Sequence, residues 1–464
     1  MLLRRALLAF GLLTSTATAL EAKVGDEASV KKAADTVAYG LLKFYTGNNT
    51  GDVPGNLPDP YYWWVCGAMF GTMVDYWHYT GDSQYNDITK QAMVHQAGPD
   101  RDFMPKNQTL TLGNDDQGFW ALAAMSAAEY VFPDPPADQP QWVAIVQAVF
   151  NEYTTRWDTQ YCGGGLRWQI YNFNVGWDYK NSISNGCFFN LASRLARYTG
   201  NTTYAEWANK IWDWEEKIGL ITKDYAVLDG VTIKDGAKCE DDMDKTEWSY
   251  NSGIFLHGSA VMYDLTKDQK WRTRVDGLVE HGLQKFGKDN IAFEQLCEPH
   301  GTCDDNQRTF KGYWLRWLSA TIQLIPDLHD KIWPLLKGTA EAAASICIGT
   351  PTHTIAKHPP FKGMAGTACG FKWNPPKVFD DSFGVGEQMS ALSALIYTLV
   401  KDSDAPKTNS TGGTSIGNPN SGSRSDDEKI RVFAPITTGD RVGAGILTTL
   451  IIGGVLGGCA FVVI

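Results

Sequence analysis

Apolar residues recur at helical spacing along most of the chain between its two termini, whereas alternating strand patterns are scarce. The pattern predicts about twelve helices with polar connections between them. Their approximate bounds are 27–46, 63–80, 84–96, 115–131, 139–155, 183–199, 203–217, 248–265, 269–286, 310–324, 328–346 and 384–401. The chain is therefore predicted to be all-α.

The connections between these helices alternate in length. Short turns recur about every 60 residues, and long connections rich in Gly, Pro, Asn and Asp lie between them. The short turns are Thr80-Gly81-Asp82, Pro133 to Pro136, Thr199-Gly200-Asn201, Thr266-Lys267-Asp268 and Pro326-Asp327. A fixed period of this kind indicates a repeat of helical hairpins.

One helix of each hairpin begins with a polar or aromatic cluster, then a glycine, then a strongly apolar stretch. These beginnings are Tyr61 to Gly67, Asp115 to Gly118, Asn181 to Gly186, Trp248 to Gly253, Thr309 to Gly312 and Phe383 to Gly386. A helical glycine costs up to about 1 kcal/mol relative to alanine, so its recurrence indicates close packing around a centre. The pattern predicts a closed (α/α)6 toroid with an apolar inner ring; an open α-solenoid is the alternative.

Each short turn reverses the chain, so a toroid would gather the long connections and the N-termini of all inner helices on one face, here called the mouth. The glycine run Gly163-Gly164-Gly165 before Trp168 is predicted to form a tight loop or short hairpin on that face. Polar clusters that are far apart in sequence would therefore converge at the mouth.

The adjacent pair Asp115-Asp116 opens one of the inner helices. Asn114 or Asp115 can cap that helix, which is a purely structural role. Two close carboxyl groups are also what glycosidic bond cleavage requires, and a separation of about 5 Å would imply retention of configuration. Close carboxylates resist double ionisation, so one would act as the acid and the other as the nucleophile. Asp380-Asp381 is a rival pair before another inner helix.

The chain is rich in aromatic residues, with 17 Trp and 19 Tyr. Aromatic rings stack on the apolar faces of sugars, and amide or cationic groups bind their hydroxyls. The predicted substrate-binding residues at the mouth are Trp63, Trp64, Trp120, Asn181, Trp248, Tyr250, Asn251, Lys311 and Gln388. The net charge of −11 argues against a nucleic-acid partner, which would require a basic face.

The two ends of the chain carry targeting patterns. Residues 1–19, with Arg4-Arg5 before an apolar run and Ala17-Thr18-Ala19, are predicted to be a secretory signal peptide. A catalytic domain at 20–402, a Ser/Gly/Asn-rich linker at 403–425 and a GPI-anchor signal at 426–464 follow. A membrane-spanning helix is the alternative for the apolar tail. The candidate attachment residues are Asn420, Ser421, Gly422 and Ser423.

Cysteines and sequons agree with a secretory route. Eight of the nine cysteines precede the tail and could form up to four disulfides, of which Cys297–Cys303 and Cys347–Cys369 are plausible local pairs. Four sequons predict glycosylation at Asn48, Asn107, Asn201 and Asn409.

The sequence predicts neither a cofactor nor a metal, because zinc-type, Walker and G-x-S-x-G patterns are missing from it. The acidic run 240–244 could bind calcium, but it lacks EF-hand spacing and is interpreted as a solvated loop.

Several of these motifs resemble glycoside hydrolase family 76, the endo-α-1,6-mannanases, and especially its fungal GPI-anchored members. The resemblance covers about residues 25–402. The matching blocks are Gly113-Asn114-Asp115-Asp116-Gln117 with Phe119-Trp120, Gly163 to Trp168, Lys180-Asn181 with Asn185-Gly186, Trp248 to Asn251, and Phe310-Lys311-Gly312. The resemblance implies an (α/α)6 fold and a retaining mechanism on α-mannosides, with Asp115 as nucleophile and Asp116 as general acid/base.

For the fungal members, the resemblance further implies a role in cell-wall biogenesis at the outer face of the plasma membrane or in the wall. The implied activity is transglycosylation, with the GPI-anchor glycan as donor and wall glucan as acceptor. A non-catalytic mannan-binding wall protein is the alternative function, since an aromatic mouth would serve it equally well. Polysaccharide elimination is disfavoured by the acidity of the mouth.

Overall fold

The computed structural model describes residues 20–234, 236, 238–351, 358–374, 378–422 and 437–463. The predicted signal peptide, 1–19, lies outside these residues. The α-helices are α1 (Glu27–Leu42), α2 (Trp63–Thr80), α3 (Asn86–Gln96), α4 (Asn114–Glu129), α5 (Trp142–Arg156), α6 (Ser182–Thr199), α7 (Thr202–Ile218), α8 (Ser249–Thr266), α9 (Gln269–Phe286), α10 (Gln307–Leu324), α11 (His329–Ile346), α12 (Val385–Ile396) and α13 (Thr438–Val463).

The even-numbered helices α2 to α12 form the inner ring. Each contacts the next one along the chain, and α12 returns to contact α2, so the ring is closed. The odd-numbered helices α1 to α11 lie outside this ring and pack against it. The predicted (α/α)6 toroid is therefore confirmed, and the open solenoid is excluded by the contact between the first and last inner helices.

Burial explains why the two kinds of helix differ in composition. Every residue of α12 is buried, and so is nearly every residue of α6, because the inner helices have neighbours on all sides. The outer helix α7 buries only one stripe, which includes Tyr204, Ala208 and Ile211. A helix that is apolar all round belongs inside a fold, whereas an amphipathic helix belongs on its surface.

The recurring glycines allow the inner helices to approach one another closely. A Cβ atom on Gly67 would lie 2.7 Å from the Trp120 ring of the next inner helix. A Cβ atom on Gly118 would lie 2.6 Å from the Cβ of Cys187 on α6. Both distances are well below a van der Waals contact, so glycine is required at these crossings.

Short antiparallel strands occur in the long connections, where alternating apolar and polar positions are scarce. One sheet has the order β1 (Tyr179–Asn181), β2 (Leu228–Thr232) and β3 (Met243–Glu247). Two-stranded ribbons are formed by β4 (Gly287–Lys288) with β5 (Ile291–Ala292) and by β6 (Cys347–Gly349) with β7 (Ala368–Cys369). The first sheet leads directly into α6 and α8, so it shapes the mouth.

The disulfides confirm both predicted local pairs, Cys297–Cys303 and Cys347–Cys369. A third bridge, Cys162–Cys239, ties the glycine-run loop to the connection before β3. Within the described part of the chain, Cys66 and Cys187 are buried thiols outside these bridges, so a fourth pair does not form.

The remaining surface features concern the C-terminal segment and the sequons. Helix α13 is exposed, and within the described residues it alone is long and apolar enough, over Thr438–Leu456, to cross a membrane. Residues 403–422, predicted to be a linker, lie on α4, α5 and α6. The four sequon asparagines, Asn48, Asn107, Asn201 and Asn409, are all exposed.

Candidate active site

The carboxylates of Asp115 and Asp116 are fixed at the start of α4. Gly113 is the N-cap residue, and its N–H donates to Oδ2 of Asp116 at 2.6 Å. The N–H of Asp116 donates to Oδ1 of Asp115 at 3.0 Å. The expected cap by Asn114 or Asp115 is thus replaced by a carboxylate that reaches back from the third helical position, where the helix dipole favours negative charge. Both aspartates remain partly exposed at the mouth.

The backbone next to the pair is held by buried neighbours. The N–H of Asn114 donates to the carbonyl of Trp168 at 2.8 Å, and its side-chain amide donates to the carbonyl of Arg167 at 2.8 Å. The hydroxyl of Tyr153 donates to the carbonyl of Asn114. Arg156, at the end of α5, donates to Oδ1 of Asn114 at 2.9 Å. The glycine-run loop and α5 therefore fix the position of the carboxylates.

Burial and mutual repulsion keep the carboxyl pair from ionising fully. Burial raises the pKa of Asp116 to about 6. Burial, followed by the charge of Asp116, raises the pKa of Asp115 well above its usual value. The N–H groups of Asp115 and Asp116 and the amide of Asn181 act in the opposite direction on the pKa of Asp115, because they donate to its ionised form. The two groups can therefore hold one proton between them, as acid–nucleophile chemistry requires.

A third carboxylate, Asp229 of β2, lies near Tyr250, as Asp115 does. Its Oδ2 accepts the hydroxyl of Tyr179 at 2.8 Å, and its Oδ1 accepts the amide of Asn251 at 3.3 Å. β1 and β2 are paired with Asn181 opposite Gly230, which places Asp229 beside the asparagine that binds Asp115. Burial raises the pKa of Asp229. The sequence pattern does not single out Asp229 as a site residue, because it is one acid beside apolar residues in a long connection.

Partly exposed aromatic rings line the mouth around the carboxylates. Tyr250 stacks on Phe310 with 3.8 Å between ring centroids, and Trp248 meets the edge of the same ring at 5.5 Å. Burial, then the charges of Asp229 and Asp115, raises the pKa of Tyr250, so its ring lies near both acids. On the other side, Trp64 packs against Phe119 at 4.8 Å. These rings offer apolar surfaces of the kind that bind sugar faces.

Two of the predicted aromatic residues lie in the core. Trp120 is fully buried and packs against Trp63 at 5.2 Å between ring centroids. Trp63 is also buried, and its indole N–H donates to Oε1 of Gln96 at 2.7 Å. Trp64, the next residue of α2, is by contrast partly exposed. The structure therefore assigns Trp63 and Trp120 to packing between α2 and α4.

Two of the predicted polar residues are buried in other networks. Nζ of Lys311 lies 3.2 Å from a carboxylate oxygen of Glu298 and donates to the carbonyl of Phe371 at 2.6 Å. Oε1 of Gln388 accepts the N–H of Cys369 at 2.6 Å. Both side chains are inaccessible to solvent. They hold the connections that lead to the mouth. Of the predicted amides, Asn181 is buried and donates to Asp115, whereas Asn251 is also fully buried and donates to Asp229.

The rival pair Asp380-Asp381 lies in a turn before α12. The carboxylate of Asp380 accepts the N–H of Lys372 at 2.9 Å and the hydroxyl of Ser382 at 2.9 Å. Asp381 is exposed and has a φ of 59°. These hydrogen bonds stabilise the turn before α12. Asp115 and Asp116 are therefore the aspartate pair that the fold presents at its mouth.

Comparison with known proteins gives a consistent result. Residues 29–410 match Glycosyl hydrolase family 76. The chain is 41% identical over 456 residues to mannan endo-1,6-alpha-mannosidase DCW1 of Saccharomyces cerevisiae, with 97% of each chain covered. It is 38% identical over 459 residues to mannan endo-1,6-alpha-mannosidase DFG5 of Candida albicans, again with 97% of each covered.

Solved structures of similar proteins have the same fold as this chain. Dfg5 from Chaetomium thermophilum, crystallised with glucosamine, has a TM-score of 0.81 and 45% identity, and the match covers 87% of this chain and 98% of that one. An inactive double-aspartate variant of the alpha-1,6-mannanase GH76A of Salegentibacter, in complex with alpha-1,6-mannotriose, has a TM-score of 0.60. At 17% identity, over 80% of this chain and 99% of that one, it supports the fold alone. The chain belongs to glycosyl hydrolase family 76.

Proposed function

We propose that this chain is a retaining glycosidase or transglycosidase that acts on α-1,6-linked mannosides, with Asp115 and Asp116 as its catalytic residues. The observation that carries the proposal is the geometry of this pair: two adjacent, partly exposed carboxyls fixed at a helix start, with both pKa values raised. A binding protein has no need to force two carboxyls together, because their repulsion costs stability.

In the proposed mechanism, Asp116 is the general acid/base. Protonated Asp116 donates its proton to the glycosidic oxygen as the bond to the anomeric carbon breaks. Asp115 attacks the anomeric carbon from the opposite face and forms a glycosyl ester. Asp116, now ionised, then takes a proton from the incoming water or sugar hydroxyl, which releases Asp115. Asn181 and backbone N–H groups donate to Asp115 and so favour its ionised form, against burial and the charge of Asp116, which raise its pKa.

The surrounding side chains suit a pyranose ring. Asp229 is partly exposed and is held by Tyr179 and Asn251, and its carboxyl oxygens can accept hydrogen bonds from sugar hydroxyls. Tyr250, Trp248 and Trp64 supply partly exposed rings on which sugar faces stack. The names of the fungal relatives, mannan endo-1,6-alpha-mannosidase, support an α-1,6-mannoside as the substrate class.

The cellular role is proposed from the ends of the chain and from these relatives. A secretory signal, sequons on exposed asparagines and an apolar C-terminal helix are consistent with an enzyme held by a GPI anchor at the outer face of the plasma membrane. There it would act in cell-wall biogenesis, with the mannose-containing GPI glycan as donor and wall glucan as acceptor. Hydrolysis and transfer share the same glycosyl intermediate and differ only in what attacks it.

Product analysis with an α-1,6-mannoside, with and without a glucan oligosaccharide, tests the proposal. The unaltered chain should release shortened mannosides, and a mannosyl–glucan product should appear when the acceptor is present. Asp115→Asn and Asp116→Asn should each abolish turnover, whereas the exposed control Asp224→Asn should not. Saturable binding of the mannoside without any product would favour the mannan-binding alternative instead.

A further inference from the structure

The Ser/Gly/Asn-rich segment between the toroid and the C-terminal helix is packed against the toroid. Its first part covers helix ends on the face opposite the mouth, here called the base. The N–H of Lys407 donates to the carbonyl of Glu129, the last residue of α4, at 2.7 Å. The N–H of Asn409 donates to the carbonyl of Tyr198, in the last turn of α6, at 3.1 Å. The last carbonyls of a helix lack intrahelical partners, so the segment satisfies two of them.

The same segment also caps the start of α5, which lies at the base. Gln141, the N-cap residue of α5, makes no side-chain capping hydrogen bond. Instead, the N–H of Val143 donates to Oγ of Ser415 at 3.0 Å, and Ser415 is buried. Serine is among the favoured capping residues of helices. Ser415 therefore acts as a cap supplied from 272 residues away in sequence.

Beyond Ser415 the segment runs along one face of α5 in the direction of the mouth. Oε1 of Gln147 accepts the N–H of Asn418 at 2.5 Å. The amide of Asn151 donates to the carbonyls of Pro419 and Ser421 at 2.8 and 2.7 Å. Val143, Gln147 and Asn151 are spaced by four residues and so share one helix face. Along this stripe, the chain rises about 12 Å from the base.

The run along α5 ends near the catalytic level of the toroid. Asn151 precedes Arg156, the last residue of α5, by five residues, which is about 8 Å of helix. Arg156 donates to Asn114, the neighbour of the catalytic pair. At the end of the described segment, Gly422 has a φ of 68°, and a Cβ atom there would lie 2.7 Å from the carbonyl oxygen of Ala148, near the middle of α5. The backbone at Ser421 and Gly422, two of the predicted attachment residues, therefore lies directly against α5.

We propose that residues 405–422 form a docked strap that fixes the anchored end of the chain to the flank of α5 beside the mouth. The strap would hold Asp115 and Asp116 close to the membrane surface and within reach of mannosides attached to lipids in the same membrane. This inference rests on the proposed function, because it takes both the GPI anchor and the mannoside substrate from there.

The physical consequence is a high effective concentration of membrane-held substrate. An undocked segment of 18 residues would behave as a flexible tether with a root-mean-square length of about 23 Å. The toroid could then lift away from the membrane and turn its mouth in any direction. Since the rate on a tethered partner depends on effective concentration, undocking should slow turnover of lipid-held mannosides and leave soluble mannosides unaffected.

The test uses the full chain in membranes, with Asn151→Ala and Ser415→Ala as strap variants. Asn209→Ala is the matched control, since Asn209 lies on outer helix α7 and its side chain bonds to Ala205 and Lys270. One readout is hydrogen exchange of the amides of Lys407, Asn409 and Asn418. The other is turnover of soluble α-1,6-mannotriose and of the same trisaccharide linked to a lipid in phosphatidylcholine vesicles that carry the enzyme.

We expect protected strap amides in the unaltered chain and in the control, and at least tenfold faster exchange in both strap variants. Turnover of the lipid-linked trisaccharide should fall several-fold in the strap variants, with soluble turnover unchanged. Strap amides that exchange freely in the unaltered chain would overturn the docking. Faster exchange with an unchanged ratio of lipid-linked to soluble turnover would overturn the orienting role. If neither mannoside is turned over by the unaltered chain, the proposed function fails, while the exchange data still decide the docking.

Discussion

Asp116 Oδ2 accepts the N–H of Gly113 at 2.6 Å, so the proposed acid/base of the site is also the residue that closes the N-terminus of α4. The two roles place opposite demands on the carboxyl. Capping favours the ionised form, whereas protonation of a leaving group requires the neutral form. Burial decides the balance, because it raises the pKa of Asp116 to about 6 in spite of the capping hydrogen bond.

The double role of Asp116 predicts that two substitutions will differ in stability but not in activity. Asp116→Asn keeps an oxygen that can accept the Gly113 N–H, so its free energy of unfolding should stay within about 1 kcal/mol of the unaltered chain. Asp116→Ala removes the cap and should be about 1 kcal/mol less stable than Asp116→Asn. Both should lose turnover. Urea denaturation followed by circular dichroism, together with product analysis, checks this; equal stabilities would show that the cap contributes nothing.

The raised pKa of Asp116 predicts the alkaline limb of the pH–rate profile. The acid form falls as the pH passes about 6, so kcat/KM should decline tenfold per pH unit above that value. The measurement is kcat/KM for an α-1,6-mannoside between pH 4 and pH 8, a range set by about two units on either side of that pKa. A profile that is flat up to pH 8 would mean that the proton on Asp116 does not limit the reaction.

The assignment of Asp116 as acid, and Asp115 as nucleophile, predicts an asymmetric response to the leaving group. Asp116→Asn should regain much of its activity on a dinitrophenyl α-mannoside, because that leaving group departs without protonation. Asp115→Asn should stay inactive on the same substrate, since the attack itself is lost. Rescue of Asp115→Asn in place of Asp116→Asn would reverse the two roles.

Asp229 is predicted to contribute to substrate binding although it lies outside the catalytic pair. Hydrogen bonds to charged groups are worth roughly 1.5–3 kcal/mol, so Asp229→Asn should lower kcat/KM by about 10- to 100-fold. The fold should persist, because asparagine can still bond to Tyr179 and Asn251. Steady-state kinetics with Asp224→Asn as the exposed control provides the test. An unchanged kcat/KM in Asp229→Asn would remove it from the site.

The buried carboxyl group of Glu294 should make the toroid less stable as the pH rises. Burial raises its pKa from 4.5 to about 8, so ionisation costs more in the folded protein than in the unfolded chain. Its stabilising contribution is fully present below pH 4.5 and is lost as the pH rises through about 8. Glu294→Gln should therefore flatten the fall in unfolding free energy between pH 5 and pH 8, with Glu280→Gln, whose side chain is exposed, as the control. If the unfolding free energy falls equally steeply with pH in Glu294→Gln and in the unaltered chain, Glu294 is not the cause of the fall.

The sequence by itself determined the architecture and singled out the proposed catalytic pair. The helix bounds, the alternation of inner and outer helices and the position of Asp115-Asp116 at an inner-helix start all follow from local patterns: apolar spacing, turn residues and recurring glycines. Such features depend on neighbours along the chain, so a linear pattern is sufficient to predict them.

Only the tertiary structure decided which side chains face the mouth and what each one contacts. Trp63 and Trp64 are consecutive residues of α2, yet Trp63 is buried against Trp120 and Trp64 is partly exposed. The sequence pattern predicts that Lys311 donates hydrogen bonds to a sugar. In the structure its ammonium group contacts Glu298 and the carbonyl of Phe371 instead.

The same holds for Asp229 and for the strap. Asp229 joins the site through strand pairing across 50 residues, and Ser415 caps α5 from 272 residues away. Burial and partners depend on contacts between distant segments, which no local pattern along the chain specifies.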